Sequence, residues 1–306
     1  MNKADQLVTE FQQLHPELLT TPMSLEEVNI LFGEFVKIKN SQVREDFEGL
    51  SAAQMHDLIT NPFASHSLIS LKQDLDSAVE DSPIFQLSEM LLKEVVAVEK
   101  LKLTQKGNLP VSICKKLVQS GFIFDPYDND RKKFTEDEIS YIWPLKEYFL
   151  STGILKKRGQ YLSTTKKAEK FISLSSPEKF LKLFRFFLED FHWANFYEGQ
   201  DIGRYGREGI AYSMLLLSKY GNSFQEDSFY SSKLVKVFGS DAWSILPDDP
   251  SMRQHITDYH TAYAIRLFEY FLPWFGLVEK KERKLLEPSE YKKTALFNKI
   301  FVFEHF

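Results

Sequence analysis

Two stretches of this chain repeat one another at the point where a helix must give way to a strand. Leu145–Leu150 reads LKEYFL and Leu267–Leu272 reads LFEYFL. Each copy runs two or three residues further, meets a glycine (Gly153, Gly276), and continues into an apolar pair and a basic arm. Glycine just past a periodic apolar run stops a helix, because it enters the left-handed region without strain. A copied helix end joined to a copied strand start implies a copied supersecondary unit, and that restricts the architecture more than any bulk property.

The signals around the first copy complete one such unit. Ser82-Pro83, a cap followed by proline at the first helical position, predicts a helix to about Glu99. LKLT then suits a short strand, and LPVSICKKLVQ a helix with Val111, Cys114, Leu117 and Val118 inward and Lys115 and Lys116 outward. TEDE at Thr135 to Glu138 has the form of a capping box opening the helix that carries the repeat. ILKKRGQYLSTT reads as two short strands about a Gly-Gln turn, with a further helix from about Thr165. Helix, strand, helix, helix, hairpin is the order of a winged helix. Behind the second copy, IAYSMLLLSKYG and SFYSSKLVKVFG fill the two earlier helix positions. The fold class expected is therefore mainly α with small β-hairpins as wings: a helical N-terminal domain followed by two winged-helix-like units.

Residues 1–82 read as an acidic helical domain. SLEE and SAAQ are capping boxes at Ser24 and Ser51, the second helix stops near Asn61-Pro62, and residues 64–82 suit a looser connector. Residues 83–175 form the first winged-helix-like domain, and residues 176–306 an aromatic-rich helical domain holding the second.

Charge is distributed unevenly along these three parts. Residues 1–99 hold six basic and seventeen acidic side chains, residues 100–170 fifteen against eight, and residues 171–306 seventeen against eighteen. A basic centre behind an acidic first third marks a candidate surface for a polyanion, or an intramolecular partner for the acidic third itself. The 27 Phe and 13 Tyr are read first as packed cores and second as stacking surfaces. A single cysteine, Cys114, rules out an internal disulfide and a cysteine zinc cluster. No run of 18 uninterrupted apolar residues occurs, and the N-terminal MNKADQLVTEF lacks a signal-peptide core. The location expected is the cytoplasm, with no membrane contact.

Three stretches, GLSAAQMHDLITNPF (Gly49 to Phe63), LTQKGNLP (Leu103 to Pro110) and LLLSKYG (Leu215 to Gly221), resemble recurring blocks of a group of bacterial proteins of uncharacterised activity, some fused to a SEC-C zinc motif. The resemblance implies a bacterial origin and a shared fold, and supplies no mechanism. The SEC-C cysteine cluster is missing from this sequence.

The winged-helix reading makes Lys156, Lys157 and Arg158 of the wing, with Lys166 and Lys167 behind and Arg131, Lys132 and Lys133 ahead, the candidate nucleic-acid contact. The third helix speaks against sequence reading. Its first turn would be Glu136, Asp137 and Glu138, which repel phosphate, and Pro144 would kink it. The fourteen-residue connector GFIFDPYDNDRKKF replaces the three or four residues of a helix-turn-helix. The loop GQDIGRYGREG, Gly199 to Gly209, with Arg204 and Arg207, is a candidate anion site ahead of a helix, although it fits no phosphate-loop pattern.

Catalytic signals are weak. There is no G-x-S-x-G, Cys114 falls on an inward helix face, and His255 and His260 miss the i, i+4 spacing of a helical metal pair. Asp125, Asp128 and Asp130 lack the glycine and distal glutamate of a calcium loop. No catalytic residue, metal or cofactor is expected. A non-enzymatic protein-interaction or regulatory module, with a protein partner or self-association, ranks first; nucleic-acid backbone binding comes second, and anion or nucleotide binding third.

Overall fold

The computed structural model describes residues 3–64, 67–72, 75, 77–125, 128, 131–196, 209–238, 259–281 and 288–304. The chain divides at Pro62 into two compact units, Met1–Pro62 and Phe63–Phe306.

The first unit consists of α1 (Lys3–Leu14), α2 (Leu25–Ser41) and α3 (Ala52–Thr60). Both expected capping boxes form. Ser24 Oγ accepts from the Glu27 amide while the Glu27 carboxylate accepts from the Ser24 amide, and Ser51 and Gln54 do the same for α3. Each cap contributes about 1 kcal/mol by satisfying amides that a helix start leaves unpaired. Phe11 packs on Phe32 and Phe35 at centroid distances of 5.0 and 5.3 Å, and Met55 and Leu58 of α3 are buried, as is Leu50 just ahead of it.

The larger unit is mainly helical with three small antiparallel sheets. Residues 64–82 are not a loose connector. They hold β1 (Ile69–Leu71) and a 3-10 turn (Ser77–Asp81) that buries Ala78 and Val79. Next come α4 (Pro83–Ala97), β2 (Lys100–Lys102), α5 (Val111–Gln119), α6 (Ile142–Ser151), β3 (Leu155–Arg158), β4 (Tyr161–Thr164), α7 (Lys166–Ile172) and α8 (Ser176–Arg185). The second repeat follows as α9 (Ile210–Tyr220), β5 (Gln225–Glu226), α10 (Asp227–Phe238), a helical segment over 259–274 with π-helical turns at Ala264–Phe271, β6 (Val278–Lys280), β7 (Glu290–Lys293) and α11 (Ala295–Ile300). Last, β8 (Phe301–Phe303) pairs with β1.

The two repeats agree in topology and in detail. Their sheets run β2-β4-β3 and β5-β7-β6, so in each the last strand lies between the other two. In the first repeat Gly153 has φ +72° and its carbonyl accepts from Thr165 Oγ1 at 2.7 Å; in the second Gly276 has φ +70° and its carbonyl accepts from Thr294 Oγ1 at 2.7 Å. Each threonine then caps the next helix, α7 or α11. The duplicated hexapeptide thus marks a duplicated structure.

Aromatic side chains bind the repeats to one core. Phe184 lies 5.6 Å from Phe271 and 5.1 Å from Phe275, and Phe180 packs on Phe85 and on Phe275. The Phe-rich stretch that comes nearest in sequence to a membrane segment is α8 and the π-helical turn after it, buried in this core. No helix among the described residues is long and apolar enough to cross a membrane.

Three local expectations need correction. Thr135–Glu138 forms no capping box. Glu136–Glu138 is an isolated 3-10 turn, and α6 starts at Ile142. Pro144 consequently sits in the first turn of α6, where its missing amide has no intrahelical acceptor to lose, and no kink arises. In α5 it is Ile113, not Val111, that turns inward beside Cys114, Leu117 and Val118, and Val111 is exposed.

Candidate functional site

Strand register decides which basic residues share a surface. Directly opposed residues of antiparallel strands project from the same face, and side chains alternate along each strand. Lys156 pairs with Ser163, which pairs with Lys100; Arg158 pairs with Tyr161, which pairs with Lys102. Lys100, Lys102, Lys156 and Arg158 therefore stand on one face of the sheet, two on each edge strand, with Tyr161 and Ser163 between them. The opposite face carries Leu101, Leu155 and Leu162, all buried in the core.

All four cations are exposed, and none makes an ion pair among the described residues. No carboxylate stands at any of the six positions. Tyr161 is 45% exposed and has no ring contact or side-chain hydrogen bond among the described residues. Neighbouring strands lie about 4.8 Å apart and alternate residues about 7 Å, so the cations spring from a rectangle of roughly 10 by 7 Å.

The remaining candidates do not join this group. Lys157 projects from the other face by register, and its Nζ lies over Gly107 so closely that a Cβ there would collide with it. Lys167 Nζ turns back to the Thr152 carbonyl at 3.4 Å, at the C-terminal end of α6, where a cation meets the helix dipole. Lys166 is exposed in the first turn of α7, and Lys132 and Lys133 are exposed in the connector; strand register puts none of them on the sheet face. Arg131 is 10% exposed and is spent internally, binding Asp128 at 2.7 Å, Asp125 at 3.2 Å and the Glu138 carbonyl at 2.7 Å. Arg204 and Arg207, with residues 199–208 of the glycine loop, lie outside the described residues.

Lys100, Lys102 and Tyr161 escaped the sequence reading. Their signal is the alternation of Lys100-Leu101-Lys102, one residue ahead of the LKLT strand expected from Leu101.

The third helix of the first repeat has little surface to present to a groove. Trp143 of α6 packs on Phe191 and Phe196 at 5.3 and 5.6 Å, and Tyr148 on Phe171 and Phe186 at 6.4 and 5.3 Å. Of the acidic triplet ahead of it, Glu136 is structural and Asp137 makes one surface contact. Glu136 is 3% exposed, accepts from the Leu109 amide at 2.6 Å and pairs with Lys146 of α6; Asp137 accepts from Asn108 Nδ2 at 2.8 Å. Glu136 and Asp137 thus hold the entry of α5 against α6, while Asp137 and Glu138 stay exposed to solvent.

The corresponding sheet of the second repeat is electrically different. At the positions matching Lys156 and Ser163 stand Glu279 and Lys292, which form an ion pair at 3.1 Å. Glu290, matching Tyr161, pairs with Lys281, and Glu226 faces it from β5. The aromatic of this sheet, Tyr291, points inward and donates to Glu269 at 2.8 Å. Burial pushes the Glu269 carboxyl up, yet hydrogen bonds from Lys280, Tyr291 and Ser289 and the Lys280 charge outweigh it and hold the group below its ordinary value.

One serine-histidine pair comes together that the sequence did not suggest: His260 Nδ1 and Ser231 Oγ are 2.7 Å apart. Ser231 is 2% exposed and its hydroxyl also donates to the Ser228 carbonyl, so the pair closes α10 against the following helix and offers no accessible nucleophile. Cys114 is buried, and that burial pushes its thiol up to about 12, which removes thiolate reactivity near neutral pH. Among the described residues no group of three or more His, Cys, Asp or Glu stands together as a metal site.

Comparison with protein-family models, with curated proteins and with solved structures finds no match to this chain.

Proposed function

We propose that this chain is a non-enzymatic binding module built on two winged-helix-like units, and that it engages a phosphate-bearing polyanion through the outer face of β2, β4 and β3. The winged-helix reading is supported by the order helix, strand, helix, helix, strand, strand in both repeats and by the shared sheet order. The observation that carries the binding reading is the face itself: Lys100, Lys102, Lys156 and Arg158 with no acid among them, beside a homologous face in which Glu279 and Lys292 pair. Like charges gathered on one sheet face destabilise it unless an anion joins them. The covered α6 supports backbone contact over base-edge reading in a major groove.

Fluorescence titrations against labelled DNA duplex, single strand and heparin over a salt series test this proposal. Four phosphate contacts give a slope of log K on log salt of about −3, and Lys100→Glu with Lys156→Glu makes it shallower by about 1.5. Absent binding, or binding indifferent to salt and to these substitutions, overturns it.

A second reading, association with a protein or with another copy, rests on the N-terminal unit. There Leu14, Leu19, Leu25, Ile30, Ile38 and Val43 are each more than half exposed, an unusual load of aliphatic surface for so small a unit.

A further inference from the structure

The cationic face of the first repeat has a feature that charge alone does not require. Tyr161 stands on the central strand with Lys102 on one side and Arg158 on the other, in the same cross-strand row. Its ring is 45% exposed and packs on no other ring among the described residues. In the second repeat the matching position holds Glu290, and the sheet's tyrosine is turned into the core. One copy of the same sheet has thus paired Glu279 with Lys292 and Glu290 with Lys281 and buried its ring, while the other leaves ring and cations open.

An exposed ring between cations on one sheet face suits a ligand that carries π-faces and negative charges in alternation. A single nucleic-acid strand does so: its unpaired bases stack on aromatic side chains while its phosphates meet Lys and Arg. A duplex offers the phosphates but hides the faces of its bases within the stack. An acidic peptide offers the charges and gives the ring nothing specific. The rectangle of roughly 10 by 7 Å from which the cations spring leaves room for one nucleotide over Tyr161, with phosphates reaching the edge strands on either side.

We propose that the outer face of β2, β4 and β3 is a site for single-stranded nucleic acid, with a base stacked on Tyr161 and the flanking phosphates held by Lys100 and Lys102 on one edge and Lys156 and Arg158 on the other. The inference rests on the polyanion reading above and adds the class of ligand. Ser163, in the neighbouring row, adds a hydroxyl beside the bound strand.

The test uses the full chain and four probes: an oligothymidylate of about 20 nucleotides, a duplex of equal length, heparin and polyglutamate. The expected result is tighter binding of the oligothymidylate than of the duplex. Tyr161→Ala weakens the oligothymidylate about tenfold and leaves duplex and heparin unchanged, Tyr161→Phe stays within about twofold of the parent, and neither alters the salt slope. Equal affinity for strand and duplex, or a Tyr161→Ala variant that binds oligothymidylate like the parent, overturns the single-strand inference while leaving the polyanion reading standing. Polyglutamate bound as tightly as oligothymidylate overturns it in favour of an acidic protein. Failure of the parent to bind any of the four overturns both. An unchanged melting temperature for Tyr161→Ala separates loss of the ring from loss of the fold.

Discussion

A carboxylate at 3% exposure costs stability unless its oxygens are matched, and Glu136 is matched by the Leu109 amide and by Lys146. Removing it strands two groups at once: an amide at the entry of α5 and an ammonium that is itself 14% exposed. Glu136→Ala is expected to cost on the order of 3 kcal/mol, the loss typical when one partner of a buried pair is deleted. Glu136→Gln keeps an acceptor for the amide and is expected to cost less, though it leaves Lys146 without its counter-charge. Urea unfolding of the two variants measures the difference, and equal midpoints would show that the acceptor kept for the Leu109 amide contributes nothing beyond the lost charge pair. The sequence hid this role because Thr135-x-x-Glu138 has the spacing of a capping box. The competing interaction was a buried amide 27 residues earlier, which no local pattern reports.

At the scale of elements, the hairpin β3-β4 was legible and the surface it builds was not. A tight turn at Gly159-Gln160 between two short strand-like runs specifies two strands and a turn locally. That Lys100 and Lys102 join Lys156 and Arg158 depends on β2 pairing with β4 across some sixty residues of chain, and register of that kind is set by the folded core. Lys157 is a sequence neighbour of Lys156 and Arg158 yet belongs to the opposite face, which only the strand register reveals. A substitution can separate the two roles of these charges. Lys156→Glu puts a carboxylate where the second repeat has Glu279, relieves repulsion among the four cations, and is expected to raise stability by a few tenths of a kcal/mol at low salt. It is expected to weaken polyanion binding in the same preparation. Urea midpoints at low and high salt, read beside the titration, check both signs. A loss of stability would mean that the cations support the fold, and the case for a binding face would weaken accordingly.

For the whole molecule, the first and last parts of the larger unit are tied together by β1 and β8, with Ile69 opposite Phe303, Ser70 opposite Val302 and Leu71 opposite Phe301. Ile69 and Val79 are completely buried, and the Ser176 hydroxyl donates to Glu80 at 2.6 Å. A reader of the sequence sees an acidic, irregular stretch between two capped helices and cuts there. The folded chain instead uses that stretch to close the unit that holds both repeats, because a three-residue strand becomes stable only when a distant partner supplies its hydrogen bonds. Two truncations distinguish these descriptions. Removing residues 1–62 takes away one compact unit at its boundary and is expected to leave the melting temperature of the remainder and its polyanion affinity close to those of the full chain. Removing residues 1–82 deletes β1, leaves the edge of β8 unpaired and opens the core at Val79, and is expected to lower the melting temperature by many degrees or to abolish a cooperative transition. Light scattering on the same proteins tests the second reading of function, since an association that rests on the exposed aliphatic residues of the first unit disappears with residues 1–62. If both truncations melt alike, the β1-β8 pairing is not what closes the larger unit, and the helices from α4 onward carry its stability alone.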